Sequence, residues 1–170
     1  MALKILITGE PGSGKTTLVK RLARSLPGAR GFYTEEMREG RRRVGFRLVA
    51  LGGGGEGMLS HEGFKGPRRV GRYGVDLEGF ESFLAGLGLA GAETVVVDEI
   101  GKMECLSEKF NALVEGLLRS DKTVIATIGK RGTPFMERLK KTPGARLLEV
   151  DEKNREEVLR RLRAELSAGP

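Results

Sequence analysis

One stretch of eight residues constrains this chain more than any other: Gly9-Glu10-Pro11-Gly12-Ser13-Gly14-Lys15-Thr16. It reads G-x-x-x-x-G-K-T, the pattern of a phosphate-binding loop. Its glycines let the backbone bend tightly and turn successive N–H groups inward, forming a concave anion site. The flanks suit that reading. Leu3-Lys4-Ile5-Leu6-Ile7-Thr8 has the apolar, β-branched character of a buried strand, and Leu18, Val19, Leu22 and Leu26 follow at helical spacing. A helix starting at Lys15-Thr16 would add its positive dipole end to the same site. The candidate nucleotide-binding residues are therefore Gly9, Glu10, Pro11, Gly12, Ser13, Gly14, Lys15, Thr16 and Thr17. Lys15 would reach the β- and γ-phosphates, and the Thr16 hydroxyl would ligate Mg²⁺.

The rest of the chain reads as strands alternating with helices. A hairpin is expected from Gly31–Met37 and Val44–Leu51, joined by the turn chemistry of 38–43. It breaks the strand–helix rhythm, so one edge of the sheet should be antiparallel. A short strand is expected at Met58-Leu59. Asp76 should cap a helix bearing Leu77, Phe80, Phe83, Leu84 and Leu87. Thr94-Val95-Val96-Val97 and Thr123–Ile128 are continuous apolar runs of the kind central parallel strands show. Ser107 should cap the helix between them, and Pro134 should open a short one. Leu147–Val150 is the last expected strand, and Asn154 with Glu157 the capping pair of a final helix. The pattern is one three-layer α/β/α domain over residues 1–170, with a mostly parallel sheet and an antiparallel hairpin extension.

A strand that ends in Asp98-Glu99 supplies the second half of a nucleotide site, because open α/β sheets bind ligands beyond the carboxyl ends of their strands. Asp98 would hold Mg²⁺ opposite Thr16, and Glu99 would orient and deprotonate an attacking water. Lys102 is either a cation that neutralises charge on the transferred phosphoryl group, with Glu104 as its partner, or an exposed loop lysine. Arg131 either reaches phosphate from the loop after Ile128 or plays no part. The candidate catalytic residues are thus Lys15, Glu99 and Lys102, and the candidate metal ligands Thr16 and Asp98.

Composition narrows the surroundings. The net charge of +7 suits a polyphosphate ligand or an ordinary charged surface, and aromatics at 5% offer no base-stacking motif, so nucleic acid is not favoured. No apolar run is long enough to span a bilayer, no signal peptide is visible, and the single cysteine, Cys105, suits a reducing compartment. A cytoplasmic monomer acting on a small nucleotide is expected. The absence of Gln, with only Asn111 and Asn154 as amides, hints at a thermophilic source.

Four segments carry a family resemblance: Gly9 to Thr16, Gly31-Phe32-Tyr33-Thr34-Glu35-Glu36, Tyr73-Gly74-Val75-Asp76, and Asp98-Glu99-Ile100-Gly101-Lys102-Met103-Glu104. Together they resemble the small nucleoside-triphosphatases first described from thermophiles, to which the vertebrate cancer-related nucleoside-triphosphatase belongs. The resemblance spans nearly the whole chain, and the Asp98–Glu104 stretch is its most specific part. It implies an adenylate-kinase-related P-loop NTPase fold that hydrolyses several nucleoside triphosphates, ATP and GTP among them, to diphosphates with Mg²⁺. It also implies phosphate binding by Gly9 to Thr16, magnesium at Asp98 and water at Glu99. Gly129 departs from the family's proline after the strand end, which bears on the shape of that loop and not on the chemistry.

Two rivals use the same loop. A kinase would replace water with an acceptor clamped by Arg41-Arg42-Arg43 or Arg68-Arg69. A regulatory or nucleic-acid-binding module would use nucleotide as a switch. An acid directly after the magnesium ligand favours hydrolysis over the kinase, and the few aromatics, with no stacking motif, tell against the module.

Overall fold

The computed structural model describes residues 2–169. Among these, nine strands form one sheet. They are β1 (Lys4–Thr8), β2 (Arg30–Glu39), β3 (Arg42–Leu51), β4 (Glu56–His61), β5 (Arg69–Val70), β6 (Tyr73–Val75), β7 (Thr94–Ile100), β8 (Thr123–Ile128) and β9 (Ala145–Glu149). Five α-helices accompany them: α1 (Lys15–Ala23), α2 (Leu77–Ala85), α3 (Glu108–Arg119), α4 (Pro134–Leu139) and α5 (Arg155–Ser167). The strand order is β5-β6-β4-β3-β2-β7-β8-β1-β9. From β2 to β9 every pairing is parallel, and from β2 outward to β5 every pairing is antiparallel.

The alternation of side chains along a strand divides the core in two. Leu6, Val95, Val97, Val124, Ala126 and Ile128 face α2, α3 and α4, whose Phe80, Phe110, Val114 and Met136 cover them. Ile5, Ile7, Val96 and Ile125 face the other way, against Leu18, Val19 and Leu22 of α1 and Leu159 and Leu162 of α5. Both faces of the parallel strands are thus covered, which is why those strands read as unbroken apolar runs.

The caps expected at Asp76 and Ser107 form where the chain enters α2 and α3, and Thr133, not read as a cap in the sequence, caps α4 just before Pro134. Asp76 accepts from the Gly79 N–H at 3.0 Å, Ser107 from Phe110 at 3.1 Å and Thr133 from Met136 at 3.3 Å. Three expectations need correction. The helix after the phosphate loop ends at Ala23, so Leu26 packs on the second core from outside it. The Asn154–Glu157 capping pair does not form: the Asn154 side chain accepts from Asp151 N–H and donates to the Glu149 carbonyl, and Glu157 pairs with Arg160. The antiparallel extension is larger than a hairpin, because β4, β5 and β6 continue it beyond β3.

Candidate active site

The loop after β1 has the geometry its glycines predict. Gly12 and Gly14 take φ of 80° and 93°, in the left-handed region where a side chain is strained. A turn closed by Ser13 N–H to the Glu10 carbonyl at 3.0 Å aims the chain back over the sheet. Unlike α2, α3 and α4, helix α1 has no capping side chain, so its first-turn amides stay available to an anion. The Lys15 ammonium sits in the mouth of the loop and donates to the Gly9 carbonyl at 2.8 Å. Ser13 Oγ is buried without a partner.

Thr16 joins this loop to the central strands. Its hydroxyl lies 3.1 Å and 3.0 Å from the two carboxylate oxygens of Asp98. Asp98 is 1% exposed and accepts a further bond from the Thr127 hydroxyl at 2.5 Å. Burial pushes its pKa up, while the hydrogen bonds from Thr127 and Thr16 and one from the Thr34 backbone oppose that shift. A hydroxyl beside a carboxylate, both hard oxygen donors, fits Mg²⁺, which takes one or two protein ligands plus phosphate oxygens and water. Among the described residues no group of three or more His, Cys, Asp or Glu is placed to hold a metal ion.

Glu99 is the next residue on β7. The β7–β8 register shifts between Val97 and Ile100, and the Asp98–Glu99 peptide is cis. Glu99 lines the same cavity as Gly9, Lys15 and Thr16, a hollow of about 740 Å³. Its pKa is raised, first by burial and then by the charge of Asp98, with Lys15 acting the other way. Lys102 also lines the cavity and is exposed. Its expected partner is not Glu104. That carboxyl is 4% exposed and makes no ion pair with Lys102 among the described residues. Burial, with the charge of Glu99 behind it, raises the Glu104 pKa well above the carboxylate range. Both Glu99 and Glu104 approach Gly101, where an added Cβ would lie 2.9 Å and 3.0 Å from their Oε1 atoms.

The remaining candidates sit at the rim. Glu10 is exposed and pairs with Lys130 at 3.2 Å and Arg131 at 3.3 Å, so the loop after β8 closes over the phosphate loop. Pro11, Gly12, Gly14 and Thr17 complete the wall. Two features were missed in the sequence. Thr127 is one position past Ala126, the cross-strand partner of Val97, and so stands beside Asp98. A threonine ending a Val/Ile run was the available signal. Lys20 also enters the cavity, held by Glu35 at 2.9 Å and lying 4.3 Å from the centre of the Tyr33 ring.

A family model described as NTPase matches residues 4–163. The nucleoside-triphosphatase THEP1 of Thermotoga maritima is 49% identical over 160 residues, which cover 92% of this chain and 91% of that protein. THEP1 of Aquifex aeolicus is 39% identical over 170 residues, covering 92% and 95% respectively. The crystal structure of THEP1 from that hyperthermophile superposes with a TM-score of 0.86 at 37% identity, covering 94% of this chain and 96% of that one. The chain belongs to this NTPase family.

Proposed function

We propose that this enzyme, a nucleoside-triphosphate hydrolase by its family, cleaves the β–γ bond of several nucleoside triphosphates, ATP and GTP among them, in a Mg²⁺-dependent reaction. The products are a nucleoside diphosphate and phosphate. The observation that carries this reading is the placement of Glu99, which faces the phosphate-loop cavity one residue from Asp98 and its bond to Thr16.

In the proposed reaction the main-chain amides of Gly12 to Thr16 hold the β- and γ-phosphates, and Lys15 turns from the Gly9 carbonyl to a phosphate oxygen. Glu99 positions a water in line with the β–γ bond and takes its proton. The raised pKa of Glu99 brings the carboxylate closer to the range in which a general base works well. Thr16 and Asp98 would hold Mg²⁺, whose bound charge neutralises that of the phosphate oxygens. Positioning and charge stabilisation carry the rate. The two arginines that line the cavity are both engaged, Arg131 with Glu10 and Arg43 with Glu36, so turnover should be slow for want of an arginine finger. Amides read phosphates and not bases, which supports breadth among triphosphates.

Burial and the neighbouring carboxyls push the Cys105 thiol up to about 12. A lone, unreactive thiol suits the reducing cytoplasm, the compartment proposed for the chain. The direct test is phosphate release from ATP and GTP by Glu99→Gln. The expected result is a fall of about 100-fold or more with triphosphate binding retained. Undiminished release removes Glu99 from the mechanism.

A further inference from the structure

Arg155 opens helix α5, and its side chain reaches the phosphate loop. A Cβ built on Gly14 would lie 2.9 Å from Arg155 Nη1, 3.3 Å from Cδ and 3.7 Å from Cζ, so the guanidinium rests on the loop backbone itself. Gly14 makes this approach possible. It has no side chain to fill the space, and its φ of 93° is one that other residues rarely adopt.

This is an unfavourable place for a lone cation. Arg155 is the first residue of α5 and Gly14 the N-cap of α1, so the positive ends of two helices meet at the guanidinium. Among the described residues the half-buried Arg155 side chain has no hydrogen-bond or ion-pair partner. The carboxylate beside it is engaged elsewhere: Glu156 accepts from both terminal nitrogens of Arg21. Glu156 feels Arg155 only as a nearby charge, after that of Arg21. A partner from outside the chain would complete this arrangement.

Arg155 also lines a hollow of about 220 Å³, with Thr17, Leu18 and Leu159. Whole small-molecule pockets run to about 300–1,000 Å³, so this one suits a single end of a ligand. Gly14 and Thr17 line it and also the larger cavity that holds Lys15 and Glu99, so the two spaces meet at the first turn of α1. A triphosphate with its last phosphate at Lys15 and Glu99 can leave the loop across that shared edge. Leu18 and Leu159 offer apolar surface, and the guanidinium offers a flat cationic face. An aromatic ring matches both, whereas phosphate oxygens would gain nothing from the leucines. No carboxylate or amide there is free to read a base edge. Glu156 is bonded to Arg21, and the Asn154 side chain to Asp151 and Glu149.

We infer that the hollow between α1 and α5 seats the nucleobase of the bound triphosphate, with the Arg155 guanidinium stacked on its face. The inference rests on the proposed seating of the phosphates in the loop. Every base has a π-face, so a stacking seat accepts purines and pyrimidines alike. It adds affinity for the nucleoside without selecting a base, which gives the proposed breadth among triphosphates a physical cause. Purines present the larger face and should bind somewhat more tightly than pyrimidines.

The test compares two probes on the full chain with Mg²⁺: a non-hydrolysable ATP analogue, and inorganic tripolyphosphate, which has the phosphates and no base. By calorimetry Arg155→Ala should weaken the ATP analogue about fivefold or more and leave tripolyphosphate within about twofold. The corresponding GTP and CTP analogues should lose affinity by factors within about threefold of that for ATP. A second measurement needs no folded alanine variant. In arginine-labelled wild type, the Nε–H resonance that is missing from Arg155→Lys should move upfield with the ATP analogue, under the ring current, and stay in place with tripolyphosphate. Equal losses for both probes would make Arg155 a phosphate contact and overturn the base seat. A loss confined to one base overturns its indifference to the base. No loss and no shift, in a chain that binds tripolyphosphate and hydrolyses ATP, overturns the inference and leaves the hydrolase reading standing. A wild type that binds neither probe overturns the seating of the phosphates and the inference with it.

Discussion

Replacing Thr127 with valine isolates the link between the sheet and the proposed metal site. Thr127 is fully buried at the end of β8, and its hydroxyl donates to Asp98 Oδ1 at 2.5 Å. Valine has nearly the same volume, so no cavity opens; the hydrogen bond is lost and the methyl must stand off from the Asp98 oxygen that the hydroxyl approaches to 2.5 Å. Hydrogen bonds to charged groups contribute about 1.5–3 kcal/mol, and Asp98 keeps its bonds to Thr16 and to the Thr34 backbone. Thr127→Val should therefore lose about 2 kcal/mol of unfolding free energy at neutral pH, read from guanidinium titrations. The cost should shrink in acid, because the Thr127 bond favours the ionised Asp98 and a protonated carboxyl gains less from it. Loss of a bond that orients a metal-binding carboxylate typically weakens metal affinity by about 10–100-fold, so the Mg²⁺ concentration for half-maximal phosphate release should rise within that range. A variant within about 0.5 kcal/mol of wild type, with an unchanged Mg²⁺ requirement, would refute the claim that Thr127 holds Asp98 in place.

Two further substitutions test the fold around the site. Glu104 is buried with a raised pKa, so the unfolded chain ionises first as pH rises from the ordinary carboxylate value toward the raised one. Wild-type stability is free of this penalty below that window and falls through it by up to about 1.4 kcal/mol per pH unit. Glu104→Gln, which cannot ionise, should therefore gain on wild type as pH rises from 4 toward 8; a pH-independent difference in urea midpoints contradicts this. Gly31→Ala places a Cβ against the Val96 carbonyl at φ 132°, where β2 meets β7, and should cost more than about 3 kcal/mol or prevent folding. A variant melting within a few degrees of wild type would show that β2 does not approach β7 so closely.

How much of this was legible in the sequence differs from element to element. The phosphate loop, the parallel strands, the caps at Asp76 and Ser107 and the helix start at Pro134 are local patterns, set by neighbours within about one turn or one strand. Strands β5 and β6 were not legible, because two and three residues carry no periodicity of their own; pairing with β4 makes them strands. Thr127 reads in sequence as one more β-branched strand residue, and only the β7–β8 register sets it beside Asp98. Glu104 was read as the partner of a catalytic Lys102. The short 3₁₀ turn at Glu104–Leu106 carries it inward instead, toward Glu99 and away from solvent. Lys102 lines the cavity and is exposed, a placement that both sequence readings of it allow.

Calorimetric titration of Mg²⁺ and a non-hydrolysable ATP analogue into wild type and Lys15→Ala tests the central claim most directly, that a polyphosphate tail sits in the amide cradle before α1. The account predicts a clear binding heat for wild type and an affinity about tenfold or more weaker without the Lys15 ammonium. Equal affinities for the two proteins, or no heat with wild type, would contradict it.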